Sequence, residues 1–347
     1  MADASFVYFP RLGVVQGTVA EKGLRALERH RAVSNVALAP SFFLIGAAPI
    51  SASAIDAGIE WGVKTIGAKD LWERGLTGAG VTVGHLDSGV AKHIALNPAI
   101  GPFAAFDVLG RKLGPSSHYG IGGHGTHTAG IICARAHNNA YYGVAPGANL
   151  CVALAIDEGD FYRERVLAGL EWILLQRPRI LNMSIGVEKG AAIFADIMKR
   201  VRAAGILPIG AIGNVYPGPS CAPANLTTVL SVGACAEDQT MWPGSASERF
   251  DREERSLVPD LAAPGVAIHS CAPKGGIALA SGTSQAAPHV AGLAALLAQA
   301  SPKASAGQLE DAILLSCHRA ETLPQDRANR GLPNASRALA ILLKGSA

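Results

Sequence analysis

The chain has 347 residues, of which 49% are hydrophobic and 16% charged, so it carries enough apolar surface for a large buried core, which excludes a mostly disordered protein. The net charge of +3 comes without a long run of Lys or Arg, which argues against nucleic acid or a membrane surface as partner. The first residues lack the basic start, apolar stretch and cleavage site of a secretory signal, and we therefore expect a cytoplasmic protein.

The first fifty residues predict a small β-α-β unit followed by a linker. FVYFPRLGVVQGTV is strand-like, AEKGLRALERH is helical, and VSNVALAPSFFLI is strand-like again. The next stretch, GAAPISASAIDAG, is uncharged until its aspartate and contains a proline, a composition typical of linkers. We therefore expect one segment over residues 1–50 and a larger domain over residues 51–347.

Beyond the linker, apolar runs of strand length alternate with helical patterns. VTVGHLD, ANLCVALAI, RILNMSIG and ILPIGAIGN are such runs, and RERVLAGLEWILLQ is one of the helical patterns between them. This alternation predicts a doubly wound α/β domain with a mostly parallel sheet and helices on both faces. The six cysteines show no metal-ligand spacing, so we expect reduced, mostly buried thiols.

Three polar residues stand where such a domain assembles its site. Asp87 ends the strand VTVGHLD, His124 opens an apolar helix, and Ser284 lies in a Gly-rich turn before another helix. Each residue alone has an ordinary structural explanation as a cap or turn residue. Together they supply the orienting carboxylate, the base and the nucleophile that acyl transfer needs.

The segments DSGV, HGTHTAG and GTSQAAPHVAG contain these residues and resemble the three signature blocks of the subtilase family, in its chain order Asp, His, Ser. The resemblance covers residues from about 59 to 340. It implies a subtilisin-like fold and a serine endopeptidase, with Ser284 as nucleophile, His124 as base and Asp87 orienting the imidazole. It also implies that Asn214 supplies an oxyanion-hole amide, although an Asn after Gly213 is also an ordinary turn residue.

The resemblance further implies a groove in which a peptide or protein substrate binds as an added strand. The residues that match its walls are Ser184, Ile185, Gly186, Gly210, Ala211, Ile212, Gly213 and Gly159. Val187 stands where relatives often have a second glycine, which predicts a narrower pocket. Cys221 matches the pocket floor or is simply a buried thiol. Asp157, Glu158 and Asp160 predict either a negative rim favouring Lys or Arg upstream of the cut, or a solvated acidic turn.

No cofactor is required for this chemistry, although the resemblance raises the question of calcium. The run AHNNAYYG resembles the calcium loop of the family, but AKHIALNPAIG lacks the carboxylate that relatives contribute. The first fifty residues resemble the later half of the prodomain that folds and inhibits many subtilases. The chain's own N-terminal segment is therefore an expected partner, and three fates remain open for it: removal, continued attachment as a half-sized chaperone, or packing on the surface as an extra edge.

Two alternatives remain beside a hydrolytic endopeptidase. The same chemistry can pass the acyl group to an amine, as peptide-maturing transpeptidases of this fold do. A pseudopeptidase that serves as an inactive scaffold would keep the fold without the reaction, and the intact set of four site residues argues against it.

Overall fold

A computed structural model describes residues 6–39, 41–46, 48–50, 57–114, 122–156, 163–187 and 191–345. The strands in these ranges are β1 (Phe6–Phe9), β2 (Val14–Gly17), β3 (Phe42–Leu44), β4 (Ala48–Ile50), β5 (Gly58–Ile59), β6 (Thr82–Asp87), β7 (Ile100–Ala105), β8 (Ala140–Tyr141), β9 (Asn149–Leu154), β10 (Ile180–Met183), β11 (Ile185–Val187), β12 (Leu207–Ala211), β13 (Leu230–Cys235), β14 (Glu248–Arg249), β15 (Leu257–Val258), β16 (Leu261–Pro264), β17 (Ile268–Cys271) and β18 (Ile277–Ser281). The α-helices are α1 (Glu21–Glu28), α2 (Trp61–Ile66), α3 (Ala68–Trp72), α4 (Gly123–Cys133), α5 (Arg163–Gln176), α6 (Ala191–Ala203), α7 (Thr283–Ala300), α8 (Ala306–Ser316), α9 (Gln325–Ala328) and α10 (Ala335–Lys344).

The central sheet has the strand order β16-β13-β12-β10-β6-β9-β7, and each neighbouring pair is parallel. β6 is the first strand of this sheet in chain order. The chain adds β7 and β9 on one side of β6 and then adds β10 and the later strands on its other side. The winding direction therefore reverses between β6 and β10. Open parallel sheets bind ligands outside the carboxyl ends of their strands at such a reversal. Asp87 and Ser184 stand at these two strand ends.

Buried apolar side chains form a cluster on each face of this sheet. Val83 of β6 belongs to a cluster that includes Val290 of α7. Leu86 of the same strand belongs to a second cluster, with Ile173 of α5 and Phe194 of α6. The two residues of β6 face opposite ways because side chains alternate along a strand. Helices therefore cover both faces, which confirms the predicted doubly wound α/β fold.

The N-terminal segment follows the predicted order of strand, helix and strand, with two differences. The first strand-like run folds as an antiparallel hairpin, β1 with β2, because residues 10–13 form a turn. Among its described residues, the last strand-like run is a strand only at β3, which pairs with β11 of the larger domain rather than within the segment. β4 likewise pairs with β18. The division into residues 1–50 and 51–347 stays a prediction.

The hairpin packs on α5 and α6 through a few buried contacts. Phe9 and Leu12 are buried in the second cluster. The Glu171 carboxylate accepts hydrogen bonds from the backbone N–H groups of Arg11 and Leu12. It also forms an ion pair with the Arg11 guanidinium, with nitrogen and oxygen 2.9 Å apart. The hairpin is therefore attached to the larger domain by apolar burial and by one carboxylate that accepts the backbone N–H groups of its turn.

Two further features of the chain are the length of its apolar helices and the state of its cysteines. None of the helices within the described ranges is long and apolar enough to cross a bilayer. The six cysteines all lie within the described residues and form no disulfide bond, and four of them are buried. The burial agrees with the expectation of mostly buried thiols, and their reduced state stays a prediction.

Candidate active site

Asp87 and His124 are in hydrogen-bond contact at the carboxyl end of β6. Asp87 is the last residue of β6, and His124 is the second residue of α4. His124 Nδ1 lies 2.7 Å from Asp87 Oδ1, and the carboxylate is fully buried while the imidazole side chain is 8% exposed. A carboxylate in this position holds the imidazole proton on Nδ1, which leaves the lone pair of a base on Nε2.

Neighbouring groups keep the Asp87 carboxyl ionised in spite of its burial. Burial raises the pKa of the carboxyl, but the adjacent His124 imidazole and the Ser88 N–H lower it by more, so that the pKa lies below its ordinary value. The Ser88 N–H donates to Oδ1 at 2.7 Å, and Thr128 Oγ1 donates to Oδ2 at 3.3 Å. Asp87 therefore faces His124 as an anion.

His85 is a buried histidine of this site that the sequence analysis did not identify. Its Nε2 donates to the Gly125 carbonyl oxygen at 3.0 Å, and burial lowers its pKa, so that the imidazole is neutral. His85 and Asp87 are two residues apart on β6 and therefore share a face of the strand, which is the sequence signal that was available. Gly125 lets α4 pack closely against the backbone that follows β6, because a Cβ at this position would overlap the Gly89 carbonyl oxygen.

Ser284 lies at the start of α7 with its hydroxyl on the chain's own N-terminal segment. The residue is fully buried, and its Oγ donates to the Ile45 carbonyl oxygen at 2.5 Å. The Ile45 N–H donates to the Ser184 carbonyl oxygen at 3.1 Å. The segment therefore passes directly over the predicted nucleophile.

Asn214 follows β12, and both ends of its amide are engaged. Oδ1 accepts hydrogen bonds from the Thr283 N–H at 2.9 Å and from Thr283 Oγ1 at 2.8 Å. Nδ2 donates to the Gly46 carbonyl oxygen at 2.8 Å. Thr283 thus fixes the orientation of the amide. The Asn214 N–H points at the Gly46 carbonyl, one residue after the Ile45 carbonyl that Ser284 contacts.

Comparisons with known proteins identify the family to which this arrangement belongs. A family model described as the subtilase family matches residues 78–337. The chain belongs to the subtilase family. It is 34% identical over 254 residues to Subtilisin Savinase of Lederbergia lenta, a match that covers 73% of this chain and 89% of that relative.

Two longer relatives match this subtilase equally well. M-protease of Shouchella clausii (strain KSM-K16) and Minor extracellular protease Epr of Bacillus subtilis (strain 168) are each 34% identical over 254 residues, or 73% of this chain. The match covers 63% of M-protease and 37% of Epr. The chain therefore spans less than two thirds of either of these relatives.

These matches confirm the predicted family and its enzyme class, a serine endopeptidase. They contradict the predicted cytoplasmic location, because the relatives include a protein named as an extracellular protease. That prediction was wrong because it rested on the first few residues alone. These residues do not establish the location of the catalytic domain.

The first predicted wall of the subtilase groove holds an extended peptide. β3 runs antiparallel along β11, with Phe43 opposite Gly186. A Cβ on Gly186 would overlap the Phe43 ring, so the glycine permits this close approach. Hydrogen bonding continues from β3 to Ser184 through the Ile45 N–H. An added strand of this kind is a standard mode of peptide recognition, and here the peptide is the chain's own.

Phe42 fills an apolar pocket beside this wall. It is 1% exposed, and its ring meets the Phe194 ring edge-on with the centroids 5.2 Å apart. Ile185 and Val187 belong to the same buried cluster. Val187, which predicted a narrower pocket, therefore contributes its bulk to the apolar surroundings of Phe42.

The second predicted wall, residues 210–213, continues β12 toward Asn214. Gly213 has a φ of 120°, and a Cβ there would lie 3.0 Å from Cys221 Sγ. Cys221 is half-buried beside this wall, and its role as a pocket floor stays a prediction. The other residues predicted to line the groove lie outside the described residues and are Asp157, Glu158, Gly159 and Asp160.

The two runs considered for calcium do not fit a tight site. Residues 91–101 and 136–143 contain neither Asp nor Glu, and protein calcium sites depend on carboxylates. Within the described ranges, no group of three or more His, Cys, Asp or Glu residues is arranged to hold a metal ion.

Proposed function

We propose that this subtilase hydrolyses peptide bonds in peptides or proteins through an acyl-enzyme formed on Ser284. The observation that carries the proposal is the strand Phe42–Leu44, which lies antiparallel on β11 and leads into the Ile45 carbonyl on Ser284 Oγ. A groove that holds a peptide in this way presents a carbonyl group to a serine hydroxyl. Acyl transfer to serine requires that a substrate carbonyl be held beside the hydroxyl in this way.

In the first step, Ser284 Oγ bonds to the carbonyl carbon while the hydroxyl proton passes to His124 Nε2. The ionised Asp87 stabilises the resulting imidazolium through Nδ1, the atom that it already contacts. The electron pair of the carbonyl moves to its oxygen. The Asn214 Nδ2–H donates to that oxyanion, together with the backbone N–H of the nucleophile.

In the second step, the imidazolium gives its proton to the leaving amine as the C–N bond breaks, and the acyl group remains on Ser284. Water then attacks the ester with His124 again as base, and this releases the acid and restores the serine. Added amine competing with water would divert the acyl group to a new amide, so product analysis separates hydrolysis from transpeptidation.

We further propose that the N-terminal segment is an intramolecular inhibitor and not a substrate in this arrangement. For cleavage, the nucleophile and the oxyanion donor must act on the same carbonyl group. Here Ser284 Oγ meets the Ile45 carbonyl, whereas Asn214 Nδ2 meets the Gly46 carbonyl. The hydroxyl is also a donor to the Ile45 oxygen instead of an attacker of its carbon. This offset of one residue supports inhibition without cleavage.

A fluorophosphonate probe tests the nucleophile. We expect the probe to label wild-type protein and the Ser34→Ala control, because Ser34 is an exposed serine outside the proposed triad, and not to label Ser284→Ala. Peptide hydrolysis should disappear together with labelling. Labelling that persists in Ser284→Ala, or peptide cleavage by that variant at the wild-type rate, would contradict the proposed function.

A further inference from the structure

A buried amide stands directly beside the predicted nucleophile. Gln285 follows Ser284 in α7 and is fully buried. Among the residues that the structure describes, neither Oε1 nor Nε2 of Gln285 has a hydrogen-bond partner. Folded proteins pair nearly all buried amides, because an unpaired one destabilises the fold. Methionine would fill a similar volume without that cost. The polarity of Gln285 therefore calls for a functional explanation.

The position of this amide points to the oxyanion site. Gly282 caps α7, and a Cβ added to it would lie 3.0 Å from Gln285 Oε1 and 2.9 Å from Asn214 Nδ2. The two side-chain amides thus approach the same glycine from the nucleophile's end of the helix. Asn214 Nδ2 is the atom that donates to a peptide carbonyl of the N-terminal segment.

The two amides differ in how they are held. Thr283 fixes Asn214 by donating twice to its Oδ1, so the direction of the Asn214 N–H is set before any substrate binds. Within the described part of the chain no such partner fixes Gln285, and its amide can therefore present either the oxygen or the NH₂ group. A group of this kind can respond to charge that appears during the reaction.

We propose that Gln285 is a second side-chain amide of the oxyanion site, whose Nε2 donates to the acyl oxygen beside Asn214 Nδ2 in the tetrahedral state. This inference rests on the proposed function, since it requires Ser284 to form that state. As the Ser284 Oγ–C bond forms, the carbonyl electron pair moves to the oxygen, which gains charge and accepts additional donors. A donor engaged only at that stage lowers the barrier without tightening substrate binding.

The test compares wild type with Gln285→Met, which keeps the volume and removes the amide, and with Gln285→Glu, which replaces it with a carboxylate. For Gln285→Met we expect kcat for a peptide amide to fall about tenfold with KM within about twofold, a smaller loss than the roughly 10²–10³ that follows removal of a principal oxyanion donor, because Asn214 remains. The affinity for a peptide boronic acid, which mimics the tetrahedral state, should fall by the same factor. The melting temperature should not fall. Gln285→Glu should lose more activity, because its charge repels the oxyanion.

Each outcome decides between a functional and a structural role. Values of kcat and boronate affinity for Gln285→Met within twofold of wild type would overturn the inference, as would a loss confined to KM. If Gln285→Met is unstable, Gln285→Asn serves as a second variant with a shorter amide. The same loss of kcat and the same fall in melting temperature in the two variants would also overturn the inference. If wild type and Phe42→Ala, which loosens the covering segment, both fail to cleave peptides and to react with a fluorophosphonate, the proposed function is refuted, whereas active enzyme with an unaffected Gln285→Met refutes only the role of Gln285.

Discussion

In the proposed mechanism, the Asn214 amide meets a negative charge that exists only in the tetrahedral state. Asn214→Ala should therefore lower kcat far more than it raises KM. Loss of one such donor in subtilisin, a member of the same family, lowers kcat by about 10²–10³, and we take the magnitude from there. The measurement is steady-state kinetics on a peptide amide, with the exposed Asn149→Ala as control. A loss of kcat below about threefold would place the main oxyanion donor elsewhere.

Glu60 is a buried carboxyl that should make stability depend on pH. It caps α2, is 7% exposed, and accepts a hydrogen bond of 2.6 Å from the Gly62 N–H. Burial raises its pKa from 4.5 to about 7, against the lowering effect of the Gly62 N–H and with a smaller contribution from Glu237. Between these two values the folded protein keeps the proton that the unfolded chain has lost. The free energy of unfolding should therefore fall as pH rises through this window, by up to about 3 kcal/mol at about 1.4 kcal/mol per pKa unit.

Urea unfolding at pH values from 5 to 8 checks this prediction, with Glu60→Gln as the variant that cannot titrate. The buried His127 and His289, whose pKa values burial lowers to about 4, act in the opposite sense and cost stability as pH falls below 6.5. They are present in both proteins, so the difference between the two curves isolates Glu60. A difference that stays constant across this pH range would show that Glu60 is ionised in the folded state.

At the scale of single elements, the docking of β3 is expected to limit access to the groove. Phe42→Ala removes a ring that is buried against Phe194, a change that costs about 3–5 kcal/mol in a packed core. Much of this loss should weaken the docking of the segment. We expect peptide hydrolysis at low substrate concentration to increase at least about tenfold, together with a lower melting temperature.

The control for this experiment is Leu38→Ala in the same segment, because the Leu38 side chain is 92% exposed and its truncation removes no buried contact. Activity of Leu38→Ala should equal that of wild type. If Phe42→Ala destabilises the protein but leaves hydrolysis unchanged, then β3 is a structural strand and the segment is no inhibitor.

The elements show which parts of the site could be predicted from sequence. The positions of Asp87 and Asn214 after strands and of His124 at a helix start could be predicted, because parallel strands bring such ends to one edge of the sheet, and their catalytic roles stay predictions. The apolar run containing β3 predicted a strand, but its partner β11 could not be derived, because strand pairing over such a separation leaves no local pattern. Gln285 and Glu60 were missed for a related reason. Only burial, which is a tertiary property, distinguishes them from surface residues.

At the scale of the whole molecule, the N-terminal segment should also support folding. Phe9 and Leu12 are buried on the catalytic domain, and burying side chains of this type contributes about 1.5–3 kcal/mol each. Deleting residues 1–45 should therefore lower both the refolding yield and the melting temperature. Refolding of the two proteins in parallel, followed by thermal unfolding, measures both. Equal yield and melting temperature would show that the segment is dispensable.

The covalent attachment of β3 changes the meaning of kinetic constants measured on this chain. A strand tethered beside its own binding groove competes with free peptides at an effective concentration on the order of millimolar. A free substrate then binds only during the fraction of time for which the tethered strand has left, and the apparent KM increases by the reciprocal of that fraction. Substrates of very different intrinsic affinity should all show this same multiplying factor. Their ranking by kcat/KM is therefore preserved, while every absolute value of KM reports the undocking equilibrium of the segment as well as the groove's affinity.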